Sequence, residues 1–213
     1  MSNAEADWDR LLSAPVLPLF APTDTAAAVG CARALAAAGV PAIEVTLRTA
    51  AAWDGIRAIL GEVPGIAVGV GTVLDPAQLA QCVRIGAHFA ISPGATPALL
   101  AAGRALAIPY LPAITTASEL MTAMAAGYCS CKFFPAENAG GVGTLKALAG
   151  PFPEARFIAT GGLSIANAPG YLALPQVRAV GASWLTPATL VEARDWDAIT
   201  ALARTAMALR KSA

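Results

Sequence analysis

Hydrophobic and polar positions change rhythm at regular intervals along this chain. Short apolar runs with the two-residue alternation of strands, such as Ala42-Ile43-Glu44-Val45-Thr46-Leu47-Arg48 and Ala67-Val68-Gly69-Val70-Gly71-Thr72-Val73, are each followed by a longer stretch carrying helix signals. The first run, Pro15 to Phe20, ends at Ala21-Pro22. Asp24 or Thr25 then caps a helix through Ala26 to Ala38, which stops at Gly39. A second helix closes before Pro64-Gly65, and a third opens at Asp75-Pro76, with the acid as cap and proline in the first helical position. Phe89 to Gly94 and Tyr110 to Ile114 continue the series, with helices opening near Thr96-Pro97 and Ser118-Glu119. Tyr128 to Glu137 contains the sixth strand, Arg156 to Gly162 gives the seventh and Val177 to Trp184 the eighth, before an amphipathic helix to about Leu209.

Strand ends recur about every 20 to 28 residues, and eight strands alternating with helices predict an α/β chain of the (β/α)8 TIM barrel class, with a short helix at about 5–13 in front. An open doubly wound sheet usually has fewer strands and places its phosphate loop after the first one, where Ala21-Pro22-Thr23 offers no glycine. One domain over residues 1–213 is expected, the barrel occupying about 15–210. The chain is 56% hydrophobic and 13% charged with net charge zero, which disfavours disorder and an electrostatic grip on nucleic acid or anionic lipid, and points to a small-molecule ligand. Gly, Pro or charge interrupts every apolar run before a membrane-spanning length, and the polar start around Glu5, Asp7, Asp9 and Arg10 lacks a signal-peptide pattern, so a cytoplasmic protein is expected. Cys31, Cys82, Cys129 and Cys131 have no metal-site spacing and read as apolar filler, and His88 reads as a strand-start residue without a partner histidine.

The candidate chemistry begins with Lys132, a lysine inside a strand-like apolar run. Alternation puts Ser130, Lys132 and Phe134 on one face and Cys129, Cys131 and Phe133 on the other. Burial disfavours an ammonium, a lever Schiff-base enzymes use to keep lysine nucleophilic. The competing reading is a lysine stem lying on apolar surface with its ammonium in water. On the second strand, the same alternation turns Glu44, Thr46 and Arg48 into the barrel; Glu44 and Arg48 alone would also fit a structural ion pair. Together with Lys132 they place a base, a cationic anchor and an amine at the carboxyl ends of the strands, where barrels build their sites. Thr160-Gly161-Gly162 and Gly181-Ala182-Ser183 put small residues after the seventh and eighth strands, a frequent phosphate position.

Glu44-Val45-Thr46-Leu47-Arg48-Thr49, Gly71-Thr72-Val73, Ile91-Ser92-Pro93-Gly94, Lys132-Phe133-Phe134-Pro135-Ala136-Glu137, Thr160-Gly161-Gly162 and Ser183-Trp184-Leu185 closely resemble, in order and spacing, the 2-keto-3-deoxy-6-phosphogluconate (KDPG) aldolases. The resemblance implies a class I aldolase on a (β/α)8 barrel, a homotrimer that needs no metal or other cofactor. It implies that Lys132 forms a Schiff base with the substrate ketone and that Glu44 is general acid and base. Arg48 and Thr72 would hold the carboxylate, Pro93, Phe134 and Thr160 would shape the pyruvate pocket, and Gly161, Gly162 and Ser183 would hold the phosphate. Ala182, Ala113, Val70 and Ala159 depart from the family pattern, and the Cβ of Ala182 is expected near the anion site. The alternatives within the same chemistry are the galactonate-derived epimer and 4-hydroxy-2-oxoglutarate. A barrel that only binds a phosphorylated metabolite is the alternative outside it.

Overall fold

The computed structural model describes residues 8–209. Residues 8–11 are helical; the rest of the expected helix before them, at 5–7, lies outside the described residues. Nine parallel strands follow: β1 (Val16–Phe20), β2 (Ala42–Thr46), β3 (Ala67–Gly71), β4 (Phe89–Ile91), β5 (Tyr110–Leu111), β6 (Ala113–Ile114), β7 (Ser130–Phe133), β8 (Arg156–Ala159) and β9 (Val177–Ala182). Their order, β5-β4-β3-β2-β1-β9-β8-β7-β6, is that of an eight-stranded barrel whose fifth strand is divided at Pro112. Tyr110–Leu111 pairs with β4, and Ala113–Ile114 pairs with β7. Proline has no N–H for the ladder, but its carbonyl still accepts from Lys132 N at 2.9 Å, so the ring is nearly closed at this point.

The helix signals act where the sequence puts them. Asp24 accepts from Ala27 N, Asp75 from Gln78 N with Pro76 in the first turn, and Thr96 from Leu99 N. The helix expected near Ser118 starts one residue earlier, at Ala117, because Thr116 and Glu119 form a reciprocal capping box. Among the described residues, no helix is long and apolar enough to cross a membrane.

Alternation divides the apolar side chains into two bodies. Outward positions such as Ile43, Val45, Val68, Val70, Cys131, Phe133 and Val180 pack against the helices. Inward positions Leu17, Ala42, Phe89, Ile91, Leu111, Ile158 and Ala179 fill the barrel, and Trp8, Leu11 and Leu12 from the segment before β1 join them. Trp8 meets Phe89 edge to face with centroids 5.8 Å apart. The Phe89 ring occupies the space beside Gly69, where a Cβ would lie 1.9 Å from it.

Candidate active site

Above the apolar filling, the inward positions become polar. Glu44 on β2 and Lys132 on β7 reach across the barrel, and Nζ donates to Oε1 at 3.1 Å. Glu44 is 1% exposed and Lys132 4%. The lysine is therefore buried and paired, and its ammonium does not escape to water as a surface lysine's would. The contact fits because β3 carries Gly71 beside it; a Cβ there would lie 2.3 Å from Glu44 Oε1. The Phe134 ring stands 5.4 Å from the ammonium. Its backbone is held by Phe134 N donating to Ile114 O at 3.2 Å and by Thr115 Oγ1 donating to Phe134 O at 2.6 Å.

Thr160 follows Ile158 on the inward face past the end of β8, 4% exposed, and its Oγ1 has no hydrogen-bond partner among the described residues. Gly181 on β9 makes room for it; a Cβ would sit 2.3 Å from that oxygen. A buried hydroxyl left without a partner is unusual in a protein interior and is poised for a ligand's polar atom. Thr72 and Pro93 are half-buried at the ends of β3 and β4. Thr72 has φ 61°, a left-handed conformation rare for a β-branched residue and common where function holds strain.

Gly161 and Gly162 form the turn after Thr160, with φ of 106° and 76°. Both of their carbonyl oxygens are engaged: Gly161 O accepts from Glu137 N at 3.1 Å, and Gly162 O from Asn167 Nδ2 at 3.2 Å. Asn167 is itself fixed by Ser164 N donating to its Oδ1 at 2.7 Å. Among the described residues, neither glycine N–H has an acceptor, so the loop presents donors and has its acceptors turned aside, the arrangement of an anion nest.

Two sequence expectations are corrected here. Arg48 does not continue the inward face of β2, because the strand ends at Thr46 and Arg48 N turns back to Thr46 O at 2.8 Å. Its side chain is exposed and lines a cleft of about 210 Å³ together with Thr46, Thr186 and Ser183, the last of these exposed in the short turn Ser183–Leu185. Neither Lys132 nor Glu44 lines this cleft; Thr46, two positions after Glu44 on β2, does. The ion partner of Glu44 is accordingly Lys132, not Arg48. Ala182 does not present a Cβ to the anion site: it ends β9 fully buried on the outward side, packed in the strand–helix layer. Its side chain faces helices, and the loop donors are unaffected.

The expected bystanders lie elsewhere. His88 Nδ1 accepts from Val68 N at 3.0 Å at a strand start. Cys31, Cys82 and Cys131 are buried and Cys129 half-buried, and burial pushes the thiols of Cys31 and Cys82 up to about 12. Among the described residues, no cluster of three His, Cys, Asp or Glu is placed to hold a metal ion. Sequence reasoning missed the hydrogen bond from Tyr171 to the Glu137 carboxylate beside the glycine turn. Glu137 sits in the lysine motif, but no local spacing pairs it with a tyrosine 34 positions away.

The sequence matches the family described as KDPG and KHG aldolase over residues 8–202. It is 53% identical over 208 residues to the "KHG/KDPG aldolase" of Escherichia coli K12, covering 97% of this chain and 98% of that protein. It is 50% identical over 209 residues to the "2-dehydro-3-deoxy-phosphogluconate aldolase" of Dickeya dadantii, covering 98% of each. Among solved structures, it superposes with TM-score 0.91 and 39% identity on KDPG aldolase from Legionella pneumophila, described with pyruvate captured as a covalent carbinolamine intermediate, over 95% of this chain and 97% of that one.

Proposed function

The chain belongs to the KDPG and KHG aldolase family, and on that premise we propose that it is a class I aldolase, a lyase cleaving KDPG to pyruvate and glyceraldehyde 3-phosphate through a Schiff base on Lys132. The observation that carries the assignment is the buried contact between Lys132 Nζ and Glu44 Oε1 at 3.1 Å, at the carboxyl ends of the strands. It sets an amine nucleophile within hydrogen-bond reach of a carboxylate able to take and return protons. The carbinolamine described for the Legionella pneumophila protein is the addition product such an amine gives with pyruvate.

Lys132 adds to the C2 ketone, and loss of water leaves a protonated imine that acts as an electron sink. Glu44, beside the nitrogen, removes the proton of the C4 hydroxyl. The C3–C4 bond then breaks, its electrons entering the imine to form an enamine while C4 leaves as the aldehyde of glyceraldehyde 3-phosphate. Protonation of the enamine at C3, with Glu44 as relay, and hydrolysis release pyruvate and restore the amine. The buried Thr160 hydroxyl and the Thr72 side chain bind the pyruvate portion, with Phe134 and Pro93 as its walls. Arg48 supplies the positive charge for the carboxylate from the mouth of the cleft. The phosphate lies against the N–H groups of Gly161 and Gly162 and the hydroxyl of Ser183, a reading supported by the engaged carbonyls of that turn.

The family resemblance also supports a cytoplasmic homotrimer. A monomer in light scattering at working concentration would speak against the trimer. The test of the function is kcat/KM for KDPG, its galactonate-derived epimer and 4-hydroxy-2-oxoglutarate, the last included because the Escherichia coli relative is named for both KHG and KDPG. KDPG is expected to give the highest value. Folded protein that turns over none of the three would refute the assignment.

A further inference from the structure

Glu137 lies beyond the end of β7, which closes at Phe133, and takes no part in the imine chemistry. Its N–H holds Gly161 O at 3.1 Å, and the neighbouring Ala136 N holds Thr160 O at 2.7 Å. Its side chain runs against the glycine turn: a Cβ on Gly162 would lie 2.8 Å from both Cβ and Cγ of Glu137. A carboxylate leaving the backbone at this point stands beside the loop whose free N–H groups would receive the phosphate in the reading above. Negative charge pointed at that loop would oppose a phosphate.

The carboxylate is held elsewhere. Tyr171, 1% exposed in the helix Ala168–Leu172 that follows the glycine turn, donates its hydroxyl to Glu137 Oε1. Gly141, the first residue of the helix Gly141–Ala149 that follows the lysine motif, packs on the pair, with a Cβ there lying 3.0 Å from the tyrosine oxygen and 3.4 Å from Oε1. Burial, then the hydrogen bond to the carboxylate and its charge, push the phenol above its ordinary range, so the hydroxyl stays a donor.

We propose that Tyr171 is a specificity-determining positioning residue: by holding the Glu137 carboxylate off the Gly161–Gly162 turn, the phosphate site of the reading above, it preserves the preference for a phosphorylated substrate. The pair touches no reacting atom. Its effect is electrostatic and confined to the substrate's far end.

The test compares kcat/KM for KDPG and for unphosphorylated 4-hydroxy-2-oxoglutarate in wild type, Tyr171→Phe, Glu137→Gln and the double variant, with borohydride trapping of pyruvate in each. Tyr171→Phe is expected to lower kcat/KM for KDPG about tenfold, mainly through KM, the scale of one charge-assisted interaction. Turnover of 4-hydroxy-2-oxoglutarate and the yield of trapped imine stay within about twofold. Adding Glu137→Gln restores most of the loss on KDPG, and Glu137→Gln alone leaves KDPG turnover at or above wild type. Equal losses on both substrates, or no rescue in the double variant, would overturn the proposal and leave Tyr171 a packing residue. A wild type that traps pyruvate without preferring the phosphorylated substrate would remove the phosphate reading and the proposal with it. A wild type that traps no pyruvate would overturn the aldolase assignment itself.

Discussion

The two ends of the barrel interior follow the same alternation of side chains and do opposite things with it. Toward the amino ends of the strands, Leu17 and Phe89 interlock with Trp8, Leu11 and Leu12 into an apolar plug, which Ile91, Leu111 and Ile158 extend up to the polar layer. At the carboxyl ends, four inward positions, Glu44, Thr46, Lys132 and Thr160, are all buried and all polar. The glycines serve both halves in one way. Gly69 admits the Phe89 ring below, while Gly71 and Gly181 admit Glu44 and Thr160 above. The polar layer gains little stability from its ion pair, since desolvating two charges roughly offsets their attraction. The apolar layer holds the barrel together, and the polar layer can be spent on chemistry.

If this division is right, substitutions should separate activity from stability according to the end they strike. The largest effect on activity is expected at the polar end: Lys132→Ala should lower kcat by at least about 10⁴-fold while circular dichroism remains native-like, because the nucleophile is removed, even though buried Glu44 loses its ion partner and some stability goes with it. At the other end, Phe89→Ala should cost about 3–5 kcal/mol of unfolding free energy in urea titrations, with kcat per folded molecule close to wild type. A large loss of kcat in folded Phe89→Ala would show that the two ends are coupled.

Thr72→Gly sharpens the comparison. A threonine at φ 61° stores strain of order 1–3 kcal/mol, and glycine relieves it at an entropic cost of about 0.5–1 kcal/mol. The variant should therefore be about 1 kcal/mol more stable by denaturant titration and bind pyruvate about tenfold more weakly for loss of the hydroxyl. Unchanged pyruvate affinity would remove Thr72 from the site.

The smallest effect belongs to the rim. Glu119 is mostly exposed; its slight burial raises the carboxyl pKa, but hydrogen bonds from Thr115 N, Thr116 N and Thr116 Oγ1 outweigh this and lower it overall. A folded pKa below the unfolded one gives stability that is present above the ordinary carboxylate value of about 4.3 and is lost as pH falls through the folded value. The melting temperature of wild type should thus fall more steeply than that of Glu119→Gln below about pH 4.5, by a small margin for so exposed a group. Parallel curves would deny the cap a charge contribution.

The strand series was legible because strands carry a period of two and several of the helices between them open on a side-chain cap, as at Asp24, Asp75 and Thr96. Lys132 and Glu44 were legible because both lie within strands, where alternation holds. Arg48 was misplaced because its face was extended past Thr46, where the chain had already turned. Ala182 was misplaced because the ladder of β9 runs on through it, two positions beyond outward Val180. The break at Pro112, the left-handed Thr72 and the long-range contact of Tyr171 with Glu137 depend on tertiary neighbours, which no local pattern reports.

The claim that the polar end of the barrel is an imine-forming site rests finally on one nitrogen. Borohydride reduction in the presence of pyruvate, followed by intact-mass and peptide analysis of wild type and Lys132→Ala, tests it directly. The account predicts a pyruvate-sized adduct on Lys132 in the wild type and none in the variant. Well-folded wild type that takes up no adduct, or carries it on another residue, would contradict it.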